Sequence, residues 1–142
     1  MQNRFESIYT TEIPADLKKV WDGLTNSSLV KQYFFDTDMI TDWIPGNPII
    51  FRGAWEGKSY EDKGIVLEYK PLEKLSYSYL SNWSGKEDLP ENYLKVTYEV
   101  WPVTLGTKIT ITQTNYDADT AKHSESNWEL LITSMAKLLA AD

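Results

Sequence analysis

Cysteine is absent from the chain, and histidine occurs once, as His123. Without cysteine there can be no disulfide framework, no thiolate nucleophile and no cysteine-based metal site. Histidine-dependent triads and zinc sites need partner residues, but the neighbours of His123 are Lys122 and Ser124 and no second histidine exists. We therefore expect a solvent-exposed His123, no metal and no catalytic residue of these types.

Positive charge and glycine-rich motifs are also scarce. Fourteen basic against twenty-one acidic side chains give a net charge of −7, which disfavours nucleic acids and anionic lipid surfaces. The seven glycines form neither a GxGxxG nor a GxxxxGK phosphate loop. No segment approaches the ~20 apolar residues of a membrane span, and the first residues lack the apolar run of a secretory signal. These absences predict a cytoplasmic protein with no nucleic-acid partner, no membrane span and no cofactor.

Aromatic residues, in contrast, are abundant, with six Trp and nine Tyr in a chain that is 42% hydrophobic. A chain of this length is typical of one domain, here residues 1–142, and buries roughly 68–70% of the surface exposed by its unfolded form. Tyr and Trp suit a core, and they also suit the wall of a small-molecule pocket. Composition leaves both interpretations open.

The first third of the chain reads as a strand followed by two short helices. Residues 4–12 are rich in β-formers and end before Pro14, which favours a helix start. The apolar positions that follow have helical spacing, and they are Leu17, Val20, Trp21 and Leu24. Capping residues at 25–28 predict a second helix running towards Phe34.

Residues 38–115 alternate between apolar and polar side chains and contain short turn motifs, which predicts a meander of antiparallel strands. The clearest strands are 49–55, 64–69, 75–80, 93–101 and 108–115. The connection at 81–92 is long for a segment without structure, and it is either a mobile lid or a plain surface loop.

The last segment, residues 119–141, predicts a long amphipathic helix. Its apolar stripe consists of Trp128, Leu131, Ile132, Met135, Leu138 and Leu139. At 1.5 Å per residue such a helix spans ~30 Å, enough to cross a small sheet. We therefore predict an α+β fold in which a curved antiparallel sheet wraps around the final helix, with two short helices after the first strand.

This order of elements resembles the START-like superfamily, also called SRPBCC, in which the sheet grips the last helix. The segment 13–25, IPADLKKVWDGLT, is similar to the opening of homologues of the heat-shock protein 90 ATPase activator. The stretches 64–77, 96–112 and 127–131 resemble the central hairpin, the last two strands and the start of the final helix in that family. Two departures are Tyr33-Phe34-Phe35, where members often have Trp, and Asn127, where many have Gly.

The alternation of the predicted strands also nominates a ligand site. Gln113 continues the inward face of Ile109 and Ile111, so its amide needs a partner inside. Tyr77 and Tyr79 share one strand face. The predicted ligand-binding residues are Tyr77, Tyr79, Tyr98, Gln113, Trp128 and Met135. The alternative is a filled core in which these polar tips bond one another or reach the surface.

Carboxylates contribute little to this predicted site. The adjacent pairs Glu61-Asp62 and Glu87-Asp88 are interpreted as solubility charges, because adjacent strand or loop residues point apart. Glu68 is the only carboxylate considered for a pocket role, and surface exposure is the expectation for it.

Three functions remain open at this point. The first is a non-enzymatic module that binds a small apolar or amphipathic, lipid-like ligand as a monomer or homodimer. The resemblance implies a second, stress-related function, which is regulation of a chaperone ATPase through protein contact. Against it, one domain uses the whole chain, whereas the eukaryotic activator has an additional chaperone-binding domain. The third is a cyclase- or aromatase-like enzyme, which the lack of an inward histidine disfavours.

Overall fold

The computed structural model describes residues 5–82 and 84–140. Seven strands and three α-helices are found in this part of the chain. The strands are β1 Phe5–Ile13, β2 Asp38–Ile40, β3 Pro48–Trp55, β4 Lys58–Lys70, β5 Lys74–Tyr79, β6 Leu94–Val103 and β7 Gly106–Asn115. The helices are α1 Leu17–Thr25, α2 Ser27–Tyr33 and α3 Ala118–Ala140, and a 3-10 turn covers Pro90–Asn92.

All seven strands form one antiparallel sheet in the order β1-β7-β6-β5-β4-β3-β2. The first strand therefore pairs with the last, and β7 leads directly into α3. Glu56 and Gly57, with φ angles of 51° and 81°, join β3 to β4 in the left-handed conformation that a tight hairpin requires. The predicted α+β fold, with a long final helix and two short helices after the first strand, is confirmed.

The two short helices begin at the predicted capping residues. The Asp16 carboxylate accepts a hydrogen bond of 2.8 Å from the backbone N–H of Lys19, and Asn26 accepts one of 3.0 Å from that of Ser28. The buried face of α1 includes Val20, Trp21 and Leu24. Of the predicted stripe on α1, only Leu17 is half-buried rather than buried.

Helix α3 buries one face against the sheet and the two short helices. Its first turn is capped by Asp117, whose carboxylate accepts a 2.8 Å hydrogen bond from the backbone N–H of Thr120. The buried residues of this face are Ser124, Trp128, Leu131, Ile132, Met135 and Leu139. Leu138, also predicted in this stripe, is half-buried because it lies at the margin of the apolar face.

The connection between β5 and β6 is anchored on both sides. The Lys63 ammonium forms an ion pair with Asp88, and the Tyr93 hydroxyl donates a 2.6 Å hydrogen bond to the same carboxylate. These two partners hold the pKa of Asp88 below its ordinary value. The side chain of Asn92 donates to the carbonyl of Glu87 at 2.9 Å. The described part of this loop is therefore fastened to strand β4 and to its own 3-10 turn.

Within the ranges 5–82 and 84–140, no helix combines the length and apolar character that crossing a membrane requires.

Candidate functional site

A cavity of about 500 Å³ lies between the inner face of the sheet, the end of α2 and helix α3. Its volume falls within the range of small-molecule sites, about 300–1,000 Å³. The described residues that line it are Phe34, Phe35, Phe51, Tyr60, Asp62, Tyr77, Tyr79, Ser81, Val96, Gln113, Ser124, Asn127, Trp128 and Leu131. Because Phe35 is 51% exposed and Asn127 is exposed, the cavity opens to solvent between α2 and α3.

The turn after α2 places Phe35 at this opening. Phe35 and Asp36 have φ angles of 51° and 58°, a conformation that residues with a Cβ seldom adopt. Two such residues in succession reverse the chain sharply. Phe34 consequently faces inward, with its ring stacked on that of Phe51 at a centroid distance of 6.0 Å, while Phe35 stays at the rim.

Aromatic rings form a continuous wall on the sheet side of the cavity. The ring of Phe51 lies 5.5 Å from that of Tyr77 and 5.9 Å from that of Tyr79, measured between centroids. Aromatic pairs at such distances are mutually stabilising. The alternation of β3 and β5 explains the wall, since each of these side chains occupies an inward position of its strand.

Asp62 is buried in this otherwise largely aromatic surface. It is only 8% exposed, and it accepts hydrogen bonds from the Tyr79 hydroxyl at 2.6 Å and from the backbone N–H of Asn82 at 2.7 Å. Its neighbour Glu61 points outward and pairs with Arg52 at 3.0 Å. The interpretation of Glu61-Asp62 as solubility charges is therefore wrong for Asp62.

The inward direction of Asp62 follows from the register of β4. Buried Gly64 and Val66 lie on the same strand face, and the register pairs Asp62 with buried Phe51 of β3. The signal was present in the sequence, because a period of two leads from Val66 back to Asp62. Two adjacent acidic residues in a polar segment nevertheless resemble a solvated surface, and this resemblance hides the alternation.

Tyr79 and Tyr60 add two hydroxyl groups to the cavity. Burial, together with the negative charge of Asp62, raises the pKa of Tyr79 well above its ordinary value. The hydroxyl of Tyr60 lies 2.5 Å from that of Thr37. Gly53 of β3 lies opposite Tyr60 of β4. A methyl group on Gly53 would come within 2.7 Å of the Tyr60 oxygen. The missing side chain of Gly53 leaves the space that the Tyr60 ring occupies.

Four of the six predicted ligand-binding residues line the cavity: Tyr77, Tyr79, Gln113 and Trp128. The Gln113 amide points inward as predicted. Its oxygen accepts a 2.8 Å hydrogen bond from the indole N–H of Trp128, and its nitrogen donates to Asn115 at 3.2 Å. These bonds connect β7 to α3 and orient the indole. The role of the four residues in binding a ligand remains a prediction.

Tyr98 and Met135 are not on the cavity wall, although both were predicted to line it. Tyr98 is buried behind the wall, where its hydroxyl lies 3.4 Å from that of Tyr77. Met135 is fully buried against Gly23 of α1. Two helical turns, about 10 Å, separate Met135 from Trp128 and carry it beyond the cavity into the filled core.

Two further sequence expectations concern residues outside the cavity. Glu68 is half-buried and forms ion pairs with Lys74 at 3.3 Å and Lys70 at 3.4 Å, and these ammonium groups hold its pKa below the ordinary value. His123 is exposed on α3. Neither residue faces the cavity. No group of three or more His, Asp or Glu side chains that could hold a metal ion occurs among the described residues.

Comparison with known proteins identifies one matching family model. Residues 14–140 match the family described as Activator of Hsp90 ATPase homolog 1-like protein. No curated protein is similar enough to count as a match.

Several solved structures share the fold over nearly the whole chain. A solution structure of a Cytophaga hutchinsonii protein is 37% identical, covers 99% of this chain and 97% of its own, and has a TM-score of 0.85. A Chromobacterium violaceum protein is 16% identical, with coverages of 96% and 98% and a TM-score of 0.81. The Aha1 dimer from Colwellia psychrerythraea is 16% identical, with coverages of 95% and 96% and a TM-score of 0.72.

Proposed function

The chain belongs to the Activator of Hsp90 ATPase homolog 1-like family, and on that premise we propose that it is a non-enzymatic carrier of a small apolar or amphipathic molecule. The observation that carries this proposal is the cavity of about 500 Å³ between the sheet and α3. Aromatic rings dominate its wall, and a few hydroxyl, amide and carboxylate groups interrupt it. Such a lining suits a guest with an apolar body and one polar group.

The wall supplies enough apolar contact for useful affinity. Burying ~200 Å² of apolar guest surface at about 25 cal/mol per Å² contributes roughly 5 kcal/mol before the cost of association. That amount supports binding without high selectivity. A polar group of the guest would then supply the orientation.

The state of the polar groups supports carriage rather than catalysis. Burial raises the pKa of both Tyr77 and Tyr79, so their hydroxyls stay neutral at physiological pH. The Gln113 amide is already bonded to Trp128 and Asn115. Groups held in this way orient a guest, whereas acid–base catalysis needs a group whose pKa is near the working pH.

Displacement of a neutral solvatochromic dye tests the carrier function. We expect the wild-type protein to bind the dye, and apolar competitors, below millimolar concentration. Tyr79→Trp adds bulk to the cavity wall and should weaken dye binding severalfold. Leu67→Trp adds even more bulk, but at an exposed position of β4, and should leave dye affinity unchanged.

The carrier function fails if no compound from a broad apolar library binds below millimolar concentration. Equal weakening by Tyr79→Trp and Leu67→Trp would place the dye elsewhere on the protein.

Gln113→Leu provides a further comparison. It leaves the Trp128 indole N–H without its acceptor and should lower the free energy of unfolding by about 1–3 kcal/mol.

Regulation of a chaperone ATPase is the second candidate, because the family description names an activator of that ATPase. We expect this chain alone to stimulate a cognate chaperone weakly or not at all, since one domain provides a single set of contacts and no gain from multivalency. Steady-state ATP hydrolysis at stoichiometric protein is the measurement. Severalfold stimulation would make chaperone regulation the better assignment.

A further inference from the structure

Building on the proposed carrier function, we propose that the cavity selects an organic cation, namely an amine on an apolar body, and that Asp62 recognises its charge. The guest would be a primary amine small enough for a cavity of about 500 Å³. This inference rests on the charge distribution inside the cavity, on the partners of Asp62 and on the aromatic wall.

The charge distribution is one-sided. Asp62 carries the only carboxylate among the described residues that line the cavity. None of these lining residues is Lys, Arg or His. No ion pair between described residues includes Asp62. Proteins normally compensate a buried carboxylate with a cation or a metal, because an isolated buried charge is costly.

The two hydrogen-bond partners of Asp62 within residues 5–82 and 84–140 are both neutral. The Tyr79 hydroxyl bonds one carboxylate oxygen at 2.6 Å, and the backbone N–H of Asn82 bonds the other at 2.7 Å. A carboxylate offers about four acceptor positions, and the described residues use two of them, which leaves two for a guest. The two donors fix the orientation of the carboxylate but bring no positive charge. An ammonium group would supply both the missing charge and further donors.

The surrounding rings favour the same class of guest. Phe51 pairs with Asp62 across the β3–β4 register, and Tyr79 contacts both residues. Aromatic faces carry partial negative charge and attract ammonium groups. The net charge of −7 also raises the local concentration of cations and repels anions. A fatty acid should consequently be a poor guest, although its chain would suit the apolar wall.

Three ligands with the same octyl chain separate charge from apolar contact: octylamine, octanol and octanoate. Isothermal titration calorimetry of the wild-type protein at pH 7 should show octylamine binding about tenfold or more tightly than octanol. Octanoate should bind most weakly. This comparison needs no variant, so it does not depend on how a substitution affects folding.

Asp62→Asn then tests the assigned residue. The asparagine oxygen can still accept from the Asn82 N–H, and its amide can donate to the Tyr79 oxygen, so the local structure should be retained. We expect octylamine to lose its advantage while the affinity for octanol stays within about twofold of the wild-type value. Glu61→Gln is the matched control. It removes the same charge from the outward face of the same strand and should preserve the preference.

The possible outcomes distinguish this inference from the carrier function. If octanol binds as tightly as octylamine, charge selection is wrong and the carrier function stands. If Asp62→Asn keeps the preference, or Glu61→Gln abolishes it, recognition by Asp62 is overturned. Failure of all three ligands and of the neutral dye would contradict the carrier function itself.

Discussion

Ending the chain at Asp117 is expected to abolish cooperative unfolding. This truncation removes α3, which buries five large apolar side chains: Trp128, Leu131, Ile132, Met135 and Leu139. Each contributes about 1.5–3 kcal/mol when fully buried, and together they equal the whole stability of a typical domain, about 5–15 kcal/mol. Without α3, the inner face of the sheet would be exposed to water. Thermal melting followed by near-ultraviolet circular dichroism is the measurement.

A single-residue pair checks the same architecture inside the intact chain. Leu131 is 6% exposed and Leu130 is 56% exposed, although they are adjacent on α3. Leu131→Ala should lower the free energy of unfolding by about 2–5 kcal/mol, and Leu130→Ala by less than about 0.5 kcal/mol. A truncated chain that still melts sharply with a native-like spectrum, or equal effects of the two substitutions, would contradict the packing of α3.

Gly64→Ala is expected to destabilise the sheet strongly at the point where the backbones of β4 and β5 approach closely. A Cβ at position 64 would lie 1.6 Å from the backbone oxygen of Ser78 and 2.4 Å from its carbonyl carbon. Backbone atoms cannot move aside as a flexible side chain can, so the strands must separate. That separation would stretch the two hydrogen bonds between Lys63 and Leu80, now 3.2 and 2.8 Å long. We expect a loss of about 3 kcal/mol or more.

Thermal denaturation measures this loss as a fall in Tm of roughly 10 °C. Gly85→Ala is the control, because it makes the same chemical change where no atom lies within 4 Å, at a φ of +74°. The control should cost only the conformational strain, about 1–2 kcal/mol. A Gly64→Ala protein as stable as the Gly85→Ala protein would disprove the close approach of the strands. We also expect the Gly64→Ala protein to bind the dye more weakly than the wild type, since Asp62 and Tyr79 lie next to this close approach of the strands.

Most of the secondary structure could be predicted because each element carries its own period. The alternation of Leu94, Val96, Tyr98 and Val100 corresponds to β6, where all four are buried. The helical spacing from Trp128 to Leu139 likewise corresponds to the buried face of α3. Short strand β2 was not identified individually, because three residues are too few to show a period.

The cavity could be predicted only in part, for a physical reason that differs between its residues. Gln113 and Tyr79 were found because their direction follows from strand alternation alone. Met135 and Tyr98 were assigned to the wall because they face inward, but a period gives only the direction of a side chain. It does not give the depth at which core packing ends and open space begins.

Asp62 shows the same division most clearly. The amino-acid sequence by itself determined the fold class, the family, the inward faces of the strands and the buried stripe of α3, because these depend on local periodicity and on motifs along the chain. Only the tertiary structure decided that the rings of Phe34 and Phe51 stack at the cavity wall. It also decided that Asp62 is buried beside Tyr79 and that the described lining residues include no cationic side chain. Those features depend on the register between strands and on where α3 crosses the sheet. Packing among residues distant in sequence sets both the register and the position of α3. A local sequence pattern contains no information about such packing.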